Sequence, residues 1–548
     1  MTDGEASWSE TAQYISLGTN SYQQASGVTA PEGLKANGYV IRTQGRSVIL
    51  FGGQDLGTQF GVYELLRQLF GYVRYGVDTY YIESGVKDKN LPQFDIYDNP
   101  DFDYTGANYG STYSDKDAAH KMRTETVDEI YMTATAEYVH NTMDYLPPEE
   151  YEAKYPEWYA TNTTPYRQLC YTAHRNPERY EQLVNEMTEK VKVAIDAEPN
   201  KSIISITNED TSMLCNCESC QAVEEKYGTA AAANIIFIND VAEKVEKWLD
   251  AERGGKDVVI AMFAYNPTVT PPAVKNAQGE WEPIDEEVVT RDNVCMIFAP
   301  ITVVNFNYDY SDEQNVIGED RLEAWEACCS SISVWNYSAH FGNYFMPYDT
   351  FASCQKQYAR YLEAGAVWIF DNAAWDSTNV TGFQNLKLFL NAQWAWDVNQ
   401  SYNTLVDGFF ENYYGSSDGA MRKMFNEMRA YLGELTSREG VGSKTGDLLD
   451  SATYWPIGLV DRWIGYCEEA KEEIAPLQQS DPEKHELFLD HITLESLMPR
   501  YMKLRFYNLS LGQKERTEMR SAFAADCRRL GVNKEAESTD IVGMIGKW

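Results

Sequence analysis

The chain has 548 residues, 43% of them apolar, and carries a formal charge of −37 at pH 7. A chain of this length exceeds one hydrophobic core, so two or three domains are expected. The negative charge would repel phosphate backbones and anionic lipid surfaces, which argues against a nucleic acid or a membrane surface as the main partner. No apolar run is long enough to predict a transmembrane segment.

The first predicted unit is a small α/β accessory domain over residues 1–97. Residues 38–43 and 47–51 predict a strand hairpin that turns at Gly45, and apolar residues at helical spacing predict a helix over 57–69. Gly52, Gly53 and Gly57 suggest a phosphate-binding loop, but the Lys-Ser/Thr pair of a P-loop and the glycine spacing of a Rossmann fold are missing. Nucleotide binding is therefore not expected.

Strand-like and helix-like segments alternate through the second predicted domain, residues 98–414. Eight strands are predicted, at Tyr104–Tyr109, Ala134–Asn141, Gln168–Thr172, Ser202–Thr207, Val258–Tyr265, Val294–Ala299, Ser331–Tyr337 and Ala366–Asp371. Helices are clearest at Arg179–Ala197, Ala230–Ala251 and Phe351–Ala364. This alternation is typical of a parallel sheet, and the number of strands predicts an α/β fold of the (β/α)₈ TIM-barrel type.

From about Gly415 the strand signal disappears, which predicts a third, helical domain over residues 415–548. Amphipathic helices are expected at Ala420–Leu435, Gly458–Glu473, Pro482–Leu511 and Gln513–Leu530.

The most informative segment is the predicted strand Ser202–Thr207, which ends in Asn208, Glu209 and Asp210. The carboxyl ends of barrel strands form the active-site face, so both carboxylates are expected at the pocket. Cleavage of a glycosidic bond needs one carboxyl group to protonate the leaving oxygen and a second group to stabilise the anomeric carbon. A solvated turn or a helix N-cap is the alternative interpretation of the same residues.

Polar and aromatic residues at other strand ends predict a groove for sugars. Each one alone is also consistent with packing or loop anchoring, and the high aromatic content, 13%, is consistent with either role. The candidate substrate-binding residues are His140, Asn141, Asn208, Tyr265, Asn305, Trp335, Tyr337 and Asp371.

Three closely spaced thiols, Cys215, Cys217 and Cys220, follow the acidic pair. With Cys170 as a fourth ligand they could hold a structural zinc ion. A disulfide plus a free thiol, and inert thiols, stay open as alternatives. No cluster of three His or Glu ligands indicates a catalytic metal, so no cofactor is expected for catalysis.

Several stretches carry a resemblance to a known family. They include Gly52–Glu64, Leu146–Pro148, Tyr155–Tyr159, Asn208–Asp210 with Cys215–Cys220, Trp335–Tyr337, Trp394–Asp397 and Phe409–Gly415. In these the chain resembles the bacterial proteins of domain of unknown function 4838, which include glycoside hydrolase family 163, endo-β-N-acetylglucosaminidases acting on N-glycans. The resemblance implies a secreted or cell-surface enzyme whose signal peptide lies outside this sequence and whose partner is a glycan; it implies nothing about oligomeric state.

Related retaining hexosaminidases use the 2-acetamido group of the substrate as the nucleophile. By that resemblance Glu209 orients the acetamido group and Asp210 acts as general acid and then base, with the reversed assignment as the alternative. An α-glucuronidase-like enzyme on the same scaffold and a non-catalytic glycan-binding protein are the other functions considered.

Overall fold

The computed structural model describes residues 7–85, 90–162, 167–447, 449–541 and 545. The strands are β1 (Ile15–Leu17), β2 (Tyr39–Gln44), β3 (Ser47–Gly52), β4 (Val73–Arg74), β5 (Tyr80–Tyr81), β6 (Asp95–Asp98), β7 (Tyr104–Asn108), β8 (Ile203–Ser205), β9 (Val259–Tyr265), β10 (Ala273–Lys275), β11 (Trp281–Pro283), β12 (Val294–Ala299), β13 (Ile332–Tyr337), β14 (Ala366–Asn372), β15 (Lys534–Ala536) and β16 (Thr539–Asp540). Among the described residues, no helix is both long enough and apolar enough to span a membrane.

The helices follow in the same order along the chain. They are α1 (Ser21–Ser26), α2 (Asp55–Phe70), α3 (Lys116–Lys121), α4 (Val127–Ile130), α5 (Thr142–Tyr145), α6 (Pro148–Tyr151), α7 (Pro177–Ala197), α8 (Glu218–Tyr227), α9 (Ala231–Glu252), α10 (Val316–Cys328), α11 (Ser353–Glu363), α12 (Gln384–Trp396), α13 (Tyr402–Tyr413), α14 (Ala420–Glu439), α15 (Ile457–Ile474), α16 (Leu477–Ser480), α17 (Pro482–Tyr507) and α18 (Gln513–Leu530). The helices expected from the sequence are therefore present, with ends shifted by a few residues.

The described residues form two compact units. The first unit takes its residues from Met1–Glu125, Ser338–Tyr358 and Asn372–Trp548, and the second from Thr126–Tyr337 and Ala359–Asp371. The division into three domains at residues 97 and 414 stays a prediction.

The first unit begins with a four-stranded sheet in the order β1-β3-β2-β6. The predicted hairpin is confirmed, with Tyr39 opposite Gly52 and Gln44 opposite Ser47 in antiparallel register. Helix α2 packs on this sheet through Phe60, Leu65 and Leu69, and buries the sheet residues that face it. The apolar alternation of the strands and the helical spacing after Gly53 thus produce one shared core.

The three glycines of the Gly52-Gly53-Gly57 motif have a packing role. A Cβ atom at Gly57 would lie 2.5 Å from the carbonyl oxygen of Gly38, and one at Gly53 would lie 2.2 Å from that of Lys35. Only a residue without a side chain allows the start of helix α2 to approach the segment before β2 so closely. The motif therefore serves a close backbone contact at the start of α2.

Long helices dominate the rest of the first unit, as the sequence predicts. Helix α14 buries Met421, Phe425, Met428 and Leu432, which lie three or four residues apart on one face. The expectation that no strand follows Gly415 was wrong, because β15 and β16 pair as a short antiparallel hairpin after α18.

Five strands of the second unit lie in one sheet in the order β14-β13-β12-β9-β8. The pairs β8–β9, β9–β12 and β12–β13 are parallel. All six residues of β12 are buried, as are all six of β13, which is typical of parallel strands covered on both faces. The predicted strands over residues 202–207, 258–265, 294–299, 331–337 and 366–371 are confirmed in this sheet, and the one over 104–109 is β7 of the first unit.

Two of the eight predicted barrel strands, Ala134–Asn141 and Gln168–Thr172, are not strands. The first of these segments runs beside β8, but side-chain hydrogen bonds take the place of a main-chain ladder. Ser205 Oγ donates to the carbonyl of Tyr138 (2.6 Å), and Asn141 Nδ2 donates to the carbonyl of Ser205 (3.1 Å). His140 has a φ of 55°, which interrupts an extended chain. The second predicted strand keeps one antiparallel bridge, between Leu169 and Tyr159. A complete eight-stranded barrel is therefore not formed by regular strands in the described residues.

Candidate active site

The acidic pair lies just beyond the carboxyl end of β8. The chain continues beside β9 after the strand ends, since the Ile206 amide donates to the carbonyl of Ala261 at 2.9 Å. Exposure then rises residue by residue: Asn208 is buried, Glu209 is half-buried and Asp210 is exposed. The two neighbouring carboxyl groups therefore have different environments.

Glu209 is held on both its side chain and its main chain. Its Oε1 accepts hydrogen bonds from Thr142 Oγ1 and from the Met143 amide, both at 2.9 Å, at the start of α5. The Gln168 side chain donates to the Glu209 carbonyl at 2.9 Å. Burial raises the pKa of the Glu209 carboxyl group above its ordinary value, against the opposing effect of the bonds from Met143 and Thr142. The protonated form is thus favoured more than in an exposed glutamate.

Asp210 faces water and has a partner on a different element. Its Oδ1 accepts a hydrogen bond of 3.1 Å from the hydroxyl group of Tyr265, the last residue of β9. The solvent-facing carboxylate and the phenol therefore form a polar pair at neighbouring strand ends, where a substrate could reach both.

His140 lies beside this pair with a fixed ring orientation. Its Nδ1 is 2.6 Å from the carbonyl oxygen of Asn208, and because a carbonyl can only accept, Nδ1 carries the proton. The ring lies 5.9 Å from that of Tyr265 and 5.5 Å from that of Phe263, measured between centroids. In the neutral tautomer Nε2 is then an acceptor.

Asn141 and Asn208 are occupied with holding the chain. Asn141 is 0% exposed; its amide donates to the carbonyls of Glu137 and Ser205, and its oxygen accepts from the Thr207 amide at 2.9 Å. The side-chain oxygen of Asn208 accepts from the Tyr171 hydroxyl and from Asn234. Both side chains fix the segment that carries the acids, and the side-chain oxygen of each is engaged within the protein.

Trp335 lies in a layer of rings contributed by several strands. It is 6% exposed and stacks on Tyr138 at an interplanar angle of 12°, with centroids 6.0 Å apart. Phe370 lies 4.2 Å from it, and Phe263 meets it edge-on at 5.7 Å. Because Phe263 also contacts Tyr265 and His140, this layer supports the polar groups of the pair from within the unit.

The remaining predicted site residues are nearly buried, each with a neighbour of its own. Tyr337 packs against Phe306 at 5.6 Å. The Asn305 amide donates to Asn315 Oδ1 at 2.6 Å, and Asp371 accepts from Asn336 Nδ2 at 2.8 Å. Their burial distinguishes them from Asp210, Tyr265 and His140, whose side chains are at least partly accessible.

The four predicted metal ligands lie together. The sulfur atoms of Cys170, Cys215, Cys217 and Cys220 are all within 4.8 Å of one another. Cys170 is buried, the other three are half-buried, and each is a free thiol. This cluster is the group of potential metal ligands found among the described residues.

Several residues of the site were missed by the sequence analysis. Thr142, Met143 and Gln168 hold Glu209, and Tyr171 holds Asn208, all across more than thirty residues of sequence. Part of the ring layer had a local signal, since Phe263 and Tyr265 are two residues apart on one strand, as are Trp335 and Tyr337, and so share a face.

The fold is similar to that of several solved glycoside hydrolases. A family 115 4-O-methyl-α-glucuronidase with specificity for decorated arabinogalactans has 11% sequence identity and a TM-score of 0.54, over 94% of this chain and 71% of that one. A family 89 glycoside hydrolase from Clostridium perfringens, in complex with its substrate GlcNAc-α-1,4-galactose, has 10% identity and a TM-score of 0.52, over 94% of this chain and 62% of that one. At such identities the likeness concerns the fold.

Sequence comparison identifies the family. No curated protein matches the chain. The family described as "Domain of unknown function (DUF4838)" matches residues 79–427, well over half of the chain, so the protein belongs to the DUF4838 family.

Proposed function

We propose that the protein is a retaining glycoside hydrolase that cleaves β-linked N-acetylglucosamine in glycans, with Glu209 and Asp210 as its catalytic acids. The observation that carries this proposal is the contrast within the pair: one carboxyl group is half-buried with a raised pKa, and its neighbour faces water at the end of a parallel strand. Two carboxyl groups whose environments differ in this way can divide the acid and charge-stabilising roles of glycosidic cleavage.

The chemistry proposed is substrate-assisted. The oxygen of the 2-acetamido group attacks the anomeric carbon while the bond to the leaving oxygen breaks and that oxygen receives a proton from one enzyme acid. The resulting oxazoline is opened by water, which returns a proton to the same acid, so the anomeric configuration is retained. The enzyme then supplies a proton donor and a group that orients the acetamido N–H, and no protein nucleophile.

Burial supports the reversed assignment of the two acids. The raised pKa of Glu209 favours a carboxyl group that still holds its proton when substrate binds, which suits the general acid. Asp210 is exposed to water, which stabilises a carboxylate, and a carboxylate can accept the acetamido N–H. We therefore assign Glu209 as the proton donor and Asp210, with Tyr265 beside it, as the group that orients the acetamido nucleophile.

The rings near the pair support a sugar ligand. Tyr265 and His140 are half-exposed and present both flat faces and polar atoms, which suits the apolar face and the hydroxyl edge of a pyranose. Solved proteins of similar fold act on glycans, and the family 89 enzyme holds an N-acetylglucosaminyl disaccharide. Endo action on N-glycans, and membership of glycoside hydrolase family 163, belong to this proposal.

We also propose that the second barrel strand is present in irregular form. Tyr131 pairs with Ile203 through a single parallel bridge, and the segment up to Asn141 continues along β8 through the Ser205 and Thr207 contacts. On this view the carboxyl end of β8, with the acidic pair, is the active-site end of a barrel.

The α-glucuronidase-like alternative is supported by the fold likeness to the family 115 enzyme. A uronic acid carboxylate is commonly bound by arginine or lysine. The groups identified around the pair are carboxyl, amide, phenol and imidazole, so the site favours an uncharged N-acetyl sugar. A glycan-binding protein without activity is the third alternative and is an outcome of the test below.

The activity test uses four substrates: a complex N-glycan, an aryl β-N-acetylglucosaminide, the matching aryl β-glucoside and an aryl 4-O-methyl-α-glucuronide. The expected result is cleavage of one or both N-acetyl substrates and of neither other sugar, with a loss of at least about 100-fold in kcat for Glu209→Gln and Asp210→Asn. Glu225→Gln, an exposed change on α8, is the control and should keep full activity. Binding of glycans without any cleavage would refute the proposal that the protein is an enzyme.

The role of each acid is tested with leaving groups of different basicity. Removing the proton donor matters little when the leaving group departs easily, so Glu209→Gln should lose far more activity on a phenyl than on a dinitrophenyl glycoside. Asp210→Asn should lose similar activity on both, because the acetamido attack itself is impaired. The opposite pattern would restore the first assignment, and undiminished turnover of the plain glucoside would remove substrate assistance.

A further inference from the structure

The four-cysteine cluster has the dimensions of a metal site. Cys170 Sγ lies 3.7 Å from Cys217 Sγ and 3.7 Å from Cys220 Sγ. In a tetrahedral zinc site with Zn–S bonds of about 2.3 Å, neighbouring sulfur atoms are about 3.8 Å apart. Bonded disulfide sulfurs are about 2.05 Å apart, so three or more thiols gathered around one point at this spacing match a shared ion rather than one disulfide.

The surroundings of the cluster suit thiolates. The main-chain amide of His174 points at Cys170 Sγ at 3.4 Å, and the hydroxyl group of Ser219 lies 3.1 Å from Cys217 Sγ. Cys217 is the N-cap residue of the ten-residue helix α8 and Cys220 lies in its first turn, where the helix dipole stabilises negative charge. These N–H and O–H groups offset part of the charge that four thiolates and one divalent ion would leave.

We propose that Cys170, Cys215, Cys217 and Cys220 bind one structural zinc ion that fastens the segment carrying the acidic pair. Four sulfur ligands close the coordination sphere, so the ion has a structural role and no open position for substrate. The metal site itself is independent of the proposed glycosidase activity, whereas its effect on the acids rests on that function.

The cluster joins the two chain segments that hold the pair. On one side of Cys170, Gln168 bonds both the carbonyl and the amide of Glu209; on the other, Tyr171 donates to Asn208. The other three ligands begin five residues after Asp210. One ion would therefore fix residues 168–171 and 208–217 relative to each other, and its loss should loosen the acids without removing either.

Metal content tests the site directly. Protein purified without added metal should contain about one zinc ion per chain by elemental analysis, and the denatured, unreduced protein should titrate with ten thiols once a chelator is present. Cys217→Ser and Cys220→Ser should each lower the zinc content at least about tenfold, while Cys329→Ser, outside the cluster, should leave it unchanged. Absence of zinc would overturn the proposal. A count of eight thiols would then indicate one disulfide, and a count of ten would indicate inert thiols.

The fastening role is tested separately from activity. Removal of zinc by a strong chelator should raise hydrogen exchange over residues 206–217 at least about tenfold, with exchange in α15 and α17 unchanged. If the protein is a glycosidase, kcat should fall about 10- to 100-fold and recover with added zinc. Zinc that is present but whose removal changes neither exchange nor kcat would refute the fastening role, whereas absence of activity with a normal zinc content would refute only the proposed function.

Discussion

Glu495 provides a test of how burial governs the stability of the first unit. This residue of α17 is 0% exposed, and its carboxyl group accepts hydrogen bonds from the Phe383 amide at 2.8 Å and the Tyr414 hydroxyl at 3.1 Å. Burial raises its pKa from 4.5 to about 7, although these hydrogen bonds act in the opposite direction. Between these two pKa values, the folded protein therefore keeps a proton on Glu495 that the unfolded chain has lost.

The sign and size of the effect follow from these two pKa values. Below pH 4.5 both states are protonated and the full stability is present; between 4.5 and about 7 only the folded state keeps its proton, so the free energy of unfolding falls as pH rises. The free energy of unfolding that is lost in this way is about 3 kcal/mol, and the loss is complete above the folded pKa.

Glu495→Gln removes this titration while keeping the shape of the side chain. The glutamine oxygen can accept from the Phe383 amide and its NH₂ group can donate to the Tyr414 oxygen. The free energy of unfolding of the variant, relative to the wild type, should therefore rise by about 3 kcal/mol between pH 4.5 and pH 8.

The assay measures urea unfolding over this pH range by hydrogen exchange of the α17 amides. The measured transition then reports on the unfolding of this helix. Glu486→Gln, an exposed change on the same helix, is the control and should follow the wild type at every pH. Parallel stability curves for wild type and Glu495→Gln would refute the reasoning, because the buried carboxyl group would then contribute no pH dependence.

Three further predictions concern the second unit. Tyr265→Phe removes the hydroxyl bond to Asp210 and should lower kcat/KM on an aryl β-N-acetylglucosaminide about tenfold, with unfolding free energy nearly unchanged; an unaltered kcat/KM would exclude a role for that hydroxyl. Since the raised pKa of Glu209 makes its ionised form costly in the folded state, Glu209→Gln should become more stable relative to wild type as pH rises through the folded pKa, which urea titrations at pH 4 and 8 can measure. Trp335→Ala should lose about 3–5 kcal/mol in the same measurement, and the half-buried Trp281→Ala much less.

The regular elements of the fold were predictable because their signals are local. Residues 294–299 are a continuous apolar run and form a strand buried at every position. Helix α7 begins at Pro177 after the N-cap residue Asn176, whose side chain accepts a hydrogen bond from the Arg179 amide. The start of this helix is therefore determined by residues adjacent in sequence. Such elements need no knowledge of distant contacts.

The irregular part beside β8 was not predictable in the same way. Residues 134–141 have strand-like apolar spacing, but the hydrogen bonds of a ladder are replaced by the side chains of Ser205, Thr207 and Asn141. These partners lie more than sixty residues apart in sequence. Local propensity favoured a strand, and long-range polar contacts produced a different backbone.

The location of the acidic pair was predictable from local sequence, but the environment of each acid was not. Its position after a β-branched strand predicted that Glu209 and Asp210 would lie together at a strand end, and the structure places them there. Their different partners could not be read from adjacency: Glu209 meets the start of α5, and Asp210 meets the end of β9. Because neighbouring side chains reach opposite neighbours, one carboxyl group is half-buried and the other faces water. The difference between the acids thus derives from the tertiary contacts of a short segment, and any contact that holds this segment in place helps to keep the two acids distinct.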